Sequence, residues 1–187
     1  GLELVADVAQ DLPAVHATGF LALPPWTLLQ PKISFHLGKY TKAHTSPAEF
    51  RQEFLSFLAP YRAYQVFYTD GSKQDTDVGC AFVSDAQQSG FKLNMLCSVF
   101  TAELVAIMQC LKYISERKLR RIVICSDSRS ALTTLQDVHT KHPLAQKILV
   151  KCHSLRAAGC DVIFCWVPLA MKQLIALLKR LLLMAET

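Results

Sequence analysis

Three acidic residues in this chain fall where apolar elements end. Asp70 follows the run Val66-Phe67-Tyr68-Thr69 and, by strand alternation, shares a face with Val66 and Tyr68. Asp127 closes the run Ile122-Val123-Ile124-Cys125-Ser126. Glu103 reads into the first turn of a helix, where the stripe Glu103, Ile107, Cys110/Leu111 and Ile114 puts it on the inward side. A buried, unpaired carboxylate is costly, and three converging ones repel one another. A divalent cation makes such a cluster tolerable. Donors that are all oxygen, with no His or Cys, favour a hard ion, Mg²⁺ or Mn²⁺, over zinc. Mg²⁺ held by a few carboxylates keeps positions open for water and phosphate oxygens. That is the arrangement of two-metal phosphodiester cleavage, with ions roughly 3.5–4 Å apart.

Each acid also has a plainer reading. Asp127, before Ser-Arg-Ser, suits a helix N-cap, and Glu103 suits a helix N-terminus. Asp70-Gly71 suits a simple turn. Taken singly these readings prevail; taken together, in this order of elements, they do not.

The elements that must position the acids are legible from Tyr61 onward. Tyr64 to Asp70 reads as a strand stopped by Gly71-Ser72. Val78 to Ser84 and Phe91 to Val99 read as two more, with a turn at Ser89-Gly90, so the three form an antiparallel meander. Thr101 to Glu116 has helical periodicity, and Arg121 to Asp127 is a continuous apolar strand. Two helices follow, Ser128 to His139 and Pro143 to Ala158, the second ended by Gly159. Asp161 to Trp166 is the fifth strand. The order β-β-β-α-β-α-α-β implies an α/β domain with a mixed sheet covered on both faces. Residues 1–60 hold eight breakers and read as a linker or wrapping arm with one short helix, Ser46 to Leu58. No internal repeat is visible.

Composition narrows the class. At 187 residues, 51% of them hydrophobic, the chain suits one medium-sized folded domain plus an appendage, and wholesale disorder is excluded. It begins with Gly1 rather than Met and so reads as a fragment of something longer, without a signal peptide. The seven cysteines form no C-x-x-C pair and sit mostly in apolar runs. That usage points to an intracellular, reducing compartment and against a disulfide framework or zinc knuckle. Net charge is +5, and the excess lies beyond Pro60, where sixteen basic residues face ten acidic ones. A modestly basic domain is compatible with a polyanionic partner.

With these residues in view, the chain resembles the type 1 ribonuclease H family, in the form carried by non-LTR (LINE-like) retrotransposon polyproteins. The resemblance rests on Tyr68-Thr69-Asp70-Gly71-Ser72, then Phe100-Thr101-Ala102-Glu103-Leu104-Val105-Ala106-Ile107, then Ser126-Asp127-Ser128-Arg129-Ser130-Ala131-Leu132. Val162-Ile163-Phe164-Cys165-Trp166-Val167-Pro168 is similar to the family's last strand, so the likeness runs from about Tyr64 to Pro168 and sets a ribonuclease H-like domain at 61–168. It implies the ribonuclease H-like fold, a five-stranded mixed sheet in the order 3-2-1-4-5 with helices on both faces. It implies hydrolysis of the RNA strand of an RNA–DNA hybrid, leaving a 3′-hydroxyl and a 5′-phosphate. Asp70, Glu103 and Asp127 would then hold two Mg²⁺ ions, with Mn²⁺ as a substitute. One ion would activate the attacking water and the other would stabilise the leaving oxygen. Glu103 would also approach the RNA 2′-hydroxyl, and Gly71, Ser72 and Ser128 would contact the nucleic-acid backbone. A fused or associated reverse transcriptase is a further implied partner.

The likeness breaks after Pro168. The family continues with Ser-His, a glycine-containing loop and Gly-Asn-Glu-x-Ala-Asp opening a helix, which supply a histidine and a fourth aspartate. Here the chain reads Leu169-Ala170-Met171-Lys172-Gln173-Leu174 and stays Leu-rich to Thr187. His139, His142 and His153 lie on the preceding helices and their junction and are no replacements. One hypothesis is a short deletion combined with a frameshift. With permitted codons for Leu169 to Ala185, the frame one nucleotide back can spell the missing motif. Met171-Lys172 forces its Glu; codon degeneracy allows the other letters without requiring them. Sequencing the locus and transcript decides it, since readthrough without an alternate-frame motif refutes the idea. Otherwise 169–187 is a genuine amphipathic helix or membrane anchor. For spanning a bilayer, an apolar run of about 13 residues broken by Lys179-Arg180 is too short and too charged.

Two functions stay open. One is a hybrid-cleaving endonuclease impaired by the absent histidine and fourth acid. The other is an inactive nucleic-acid-binding transposon remnant. A transposase or integrase of related fold is disfavoured by the Tyr-Thr-Asp-Gly-Ser and Thr-Ala-Glu strings.

Overall fold

The computed structural model describes residues 23–40, 45–75 and 77–168. The segment read as an aberrant tail, 169–187, lies outside the described residues, as do the first 22.

In chain order the elements are β1 (Lys32–Ser34), α1 (Pro47–Leu58), β2 (Gln65–Gln74), β3 (Asp77–Val83), β4 (Gln88–Leu93), α2 (Val99–Glu116), β5 (Arg121–Ser126), α3 (Arg129–Gln136), α4 (Pro143–Ala157) and β6 (Asp161–Trp166). They build a single sheet in the order β1-β6-β5-β2-β3-β4. β2, β3 and β4 form the antiparallel meander, and β5 and β6 extend it in parallel with β2. Leaving β1 aside, the order is 3-2-1-4-5, that of the ribonuclease H-like fold.

The sixth strand corrects the five-stranded expectation. β1 has three residues, too few for a visible period, and pairs in parallel with β6 through Ser34 opposite Cys165. Its place is fixed by Lys32, whose ammonium lies 2.7 Å from the Asp161 carboxylate. Tyr64 donates its hydroxyl to the other oxygen of Asp161 at 2.8 Å. Burial alone would raise that carboxyl; the Lys32 and Tyr64 contacts more than offset it and hold Asp161 below the usual carboxylate range.

Strand alternation sends side chains to two cores. Phe67, Phe82, Ile122, Ile124 and Phe164 meet the apolar stripes of α2, α3 and α4 on one face. On the other, Val123, Cys125, Cys165 and Val167 are covered by Phe50 and Phe54 of α1 and by Leu37. The short helix read from Ser46 is thus the cover of the second face. Ser46 caps it reciprocally: its hydroxyl accepts from the Glu49 amide, and its own amide donates to the Glu49 carboxylate.

Several boundaries differ from the sequence reading, among them the end of the third strand, which stops at Leu93 rather than Val99, and that of α3, which stops at Gln136 rather than His139. β2 does not stop at Gly71-Ser72; it runs on to Gln74, with Gly71 paired to Cys80, and the chain turns at Asp75, whose φ is 44°. Ser89 and Gly90 lie inside β4, opposite Phe82 and Ala81, and the turn precedes them at 84–87, closed by Ser84 and Gln87. α2 begins at Val99 behind a Ser98 cap, two residues before the expected Thr101, so Glu103 lies past the first turn rather than within it.

Candidate metal centre

Asp70 and Asp127 come together because β2 and β5 are parallel neighbours. Thr69 stands opposite Ser126, and the next residue on each strand is an acid. Both strands therefore deliver a carboxylate to the same rim of the sheet.

Glu103 is brought in by a close approach of backbone to backbone. A Cβ on Gly71 would lie 2.5 Å from the Glu103 nitrogen and 2.7 Å from the Ala102 carbonyl carbon. Glycine at 71 is therefore what lets the start of α2 settle against β2. Sequence reading took Gly71 for a turn residue; in extended, paired backbone its role is the missing side chain. Ala102 is fully buried at this contact, and Glu103, beside it, is 6% exposed.

The outcome is a group of three carboxylates with one oxygen from each within 4.8 Å of the others. Asp70 is exposed, Asp127 half-buried and Glu103 buried, so the cluster opens to solvent on one side. Among the described residues it is the one group of three or more His, Cys, Asp or Glu side chains placed to share an ion. A donor set of carboxylate oxygens alone fits a hard divalent cation. The site is also sensed by its neighbours. Burial pushes the Cys80 thiol up to about 11, with the Glu103 carboxylate adding to it.

The plainer reading of Asp127 as a helix cap does not hold. Ser128 is the N-cap of α3, its hydroxyl accepting from the Ala131 amide. Among the other residues expected at the substrate, Ser72 is exposed on β2 and Ser128 half-buried. The histidines serve elsewhere, as expected. His142 caps α4 through Nδ1 and meets the edge of Phe100, and His153 accepts from the Leu29 amide. His139 donates its backbone amide to Asp137. Among the described residues no helix is long and apolar enough to cross a membrane.

Residues that sequence reading did not single out also border the acids. Trp166, at the end of β6, donates its indole N–H to the Asp127 carbonyl at 3.0 Å, and Arg129 lies over its ring. The only sequence signal for Trp166 was its place in the last-strand string.

No curated protein matches the chain in sequence. Among solved structures, LC11-RNase H1 in complex with an RNA/DNA hybrid superposes with a TM-score of 0.47 at 18% identity. The match covers 56% of this chain and 86% of that one. The model of the family described as reverse transcriptase-like matches residues 77–178, more than half of the chain. Two of the three acids, the capped α2 and the last strand lie within that stretch, and the chain belongs to the reverse transcriptase-like family, with a ribonuclease H-like domain.

Proposed function

We propose that the chain is an endonuclease acting on the RNA strand of RNA–DNA hybrids, with Asp70, Glu103 and Asp127 holding divalent ions. The observation that carries this reading is the convergence of three carboxylates within 4.8 Å, one from inside β2, one from just past the end of the parallel β5 and one from a buried helix position. The mutual repulsion of three carboxylates, one of them buried, opposes folding, and a bound cation offsets it.

Divalent ions bound there supply charge neutralisation, a more acidic water and stabilisation of the leaving 3′ oxygen. The protein's part is orientation. Asp70 and Asp127, on neighbouring strands, present their oxygens from a rigid sheet rim. Glu103, anchored in the core by α2, is assigned to approach the RNA 2′-hydroxyl, the group that separates RNA from DNA. Ser72 and Ser128 are assigned to the substrate backbone, together with the main chain at Gly71. A hybrid is read mostly by shape and backbone, so sequence preference is expected to be weak.

After Asp161 the sequence holds no aspartate, and after His153 no histidine. The fourth aspartate and the histidine of the resembled family therefore have no counterpart within 169–187. We assign this copy weakened occupancy of one ion position and slow turnover. Mg²⁺ is the expected ion, and Mn²⁺, which tolerates poorer ligand sets, the better supporter of residual activity.

The test is cleavage of a uniformly labelled RNA–DNA hybrid with Mg²⁺ and then Mn²⁺, alongside Asp70→Asn. Cleavage that needs the metal and vanishes in the variant supports the enzyme. Hybrid binding without cleavage in either metal supports an inactive nucleic-acid-binding module instead.

A further inference from the structure

The Asp127 loop is braced from outside the acid cluster. In the sheet register Ser126 stands opposite Trp166, and Ser34 opposite Cys165. The next residue after each strand end therefore falls on the same rim: Asp127 after β5, Phe35 after β1. Trp166 joins the two. Its Nε1–H donates to the Asp127 carbonyl at 3.0 Å, and the same carbonyl accepts the Arg129 amide at 3.0 Å. The Arg129 guanidinium lies 5.5 Å from the centre of the Phe35 ring and 5.7 Å from that of Trp166, held between two aromatic faces. Gly38 closes the assembly from the arm: a Cβ there would touch both the guanidinium and the indole ring at ordinary contact distances of 3.7 and 3.8 Å.

We propose that Trp166 is a positioning residue for the third acid and that the arm, through Phe35, is part of the same device. The physical reason is the short link that carries Asp127. Asp127 stands one residue beyond β5 and one before the Ser128 cap, in a single-residue link between strand and helix. The position of its carboxylate depends on the backbone that carries it. Two donors on one carbonyl fix that backbone, and the stacked Arg129 ties the start of α3 to the arm. Ligands oriented by outer contacts bind metal more tightly, and loss of such a contact typically lowers affinity by about 10–100-fold. The coupling also makes the segment before Tyr61, which the sequence suggests is a linker, a contributor to the metal site.

The inference rests on the reading that the acid cluster holds a divalent ion, and the experiment separates the two. Mn²⁺ binding to the full 187-residue chain is titrated by the loss of the free-ion paramagnetic signal, with no substrate present. The variants are Asp70→Asn, Trp166→Phe and Phe35→Leu, each with a thermal melt. Trp166→Phe keeps an aromatic body and removes only the N–H donor, so a roughly tenfold weaker Mn²⁺ affinity is expected, with a cooperative melt retained. Phe35→Leu, which frees one side of Arg129, is expected to weaken binding by a smaller factor, and it decides the matter if Trp166→Phe does not fold. Wild-type affinity in the folded variants overturns the positioning role and leaves the metal reading standing. Absence of any Mn²⁺ binding that Asp70→Asn removes overturns the metal reading, and the inference falls with it.

Discussion

Gly71 and Glu103 touch through their backbones: the site on β2 that would carry a side chain is occupied by the first turns of α2. Gly71→Ala therefore forces a displacement of backbone rather than of a flexible side chain. Overpacking of this kind costs about 1–3 kcal/mol, and the upper end is expected here because both nearest atoms belong to the helix main chain. The displacement also moves Glu103 away from Asp70. Urea denaturation should show the loss of stability, and a Mn²⁺ titration of the folded fraction should show a loss of affinity. A variant as stable and as metal-competent as the parent would remove Gly71 from the account of the site.

How much of this was readable from the sequence follows from which contacts are local. Strand and helix positions from Gln65 to Trp166 are set largely by apolar periodicity, so the element order was legible, whereas the strand order came only from the family resemblance. Asp70 and Asp127 were legible because each ends an apolar run, and Glu103 because it lies on the inward stripe of a helix. The seat of Glu103 was not, since Gly71 in a Thr-Asp-Gly-Ser string looks the same whether it turns the chain or makes room for a helix 31 residues later. β1 was hidden for a different reason. Three residues after Pro31 carry no pattern, and their pairing depends on an edge that β6 provides 131 residues further on, Lys32 standing opposite Ile163. Trp166 shows the same limit, because the carbonyl it holds is on a different strand end.

If the acid cluster binds a divalent ion, the ion must stabilise the fold that assembles it. At free Mn²⁺ of a hundredfold its dissociation constant, linkage gives about 2.7 kcal/mol. For a chain of this size that is roughly 5–10 °C in Tm. The gain should be present in the wild type, reversed by EDTA, and absent in Asp70→Asn. An equal shift in that variant would mean that Mn²⁺ acts somewhere other than the cluster.

Asp161 gives a pH dependence with a definite sign. The fold holds its carboxyl below the ordinary value of 3.8, through Lys32 and Tyr64 acting against burial. As pH falls, the unfolded chain therefore takes up this proton before the folded one does. The stabilisation is complete above the ordinary value and is lost as pH drops through the lower folded value. Asp161→Asn is expected to cost about 1 kcal/mol near neutral pH, the scale of a partly exposed charged hydrogen bond. The difference between wild type and variant should shrink steadily below about pH 4, where the ordinary Asp carboxyl begins to take up its proton. Chemical denaturation across that range measures it, and a constant difference would mean that the two contacts to Asp161 contribute nothing through its charge.

The boundary at residue 60 is the point where sequence and packing give different impressions, and a truncated chain tests it. By composition a chain starting at Tyr61 holds the entire meander, the three acids and the last strand. By packing it lacks β1, Leu28, Leu37, Phe50 and Phe54, all four of these side chains being buried in the two cores. Burying an apolar side chain of this size is worth about 1.5–3 kcal/mol, so together they contribute on the order of 6–12 kcal/mol. That equals most of the roughly 5–15 kcal/mol by which a domain is stable. Removal also uncovers Val123, Cys125, Cys165 and Val167 on the second face of the sheet. The fragment 61–187 should therefore lack a cooperative thermal transition and bind dyes that report exposed apolar surface, while the full chain melts in one step. A fragment that melts cooperatively within a few degrees of the full chain would show that α1 and the arm are dispensable covers. The metal site would then have to be explained by β2, α2 and β5 alone.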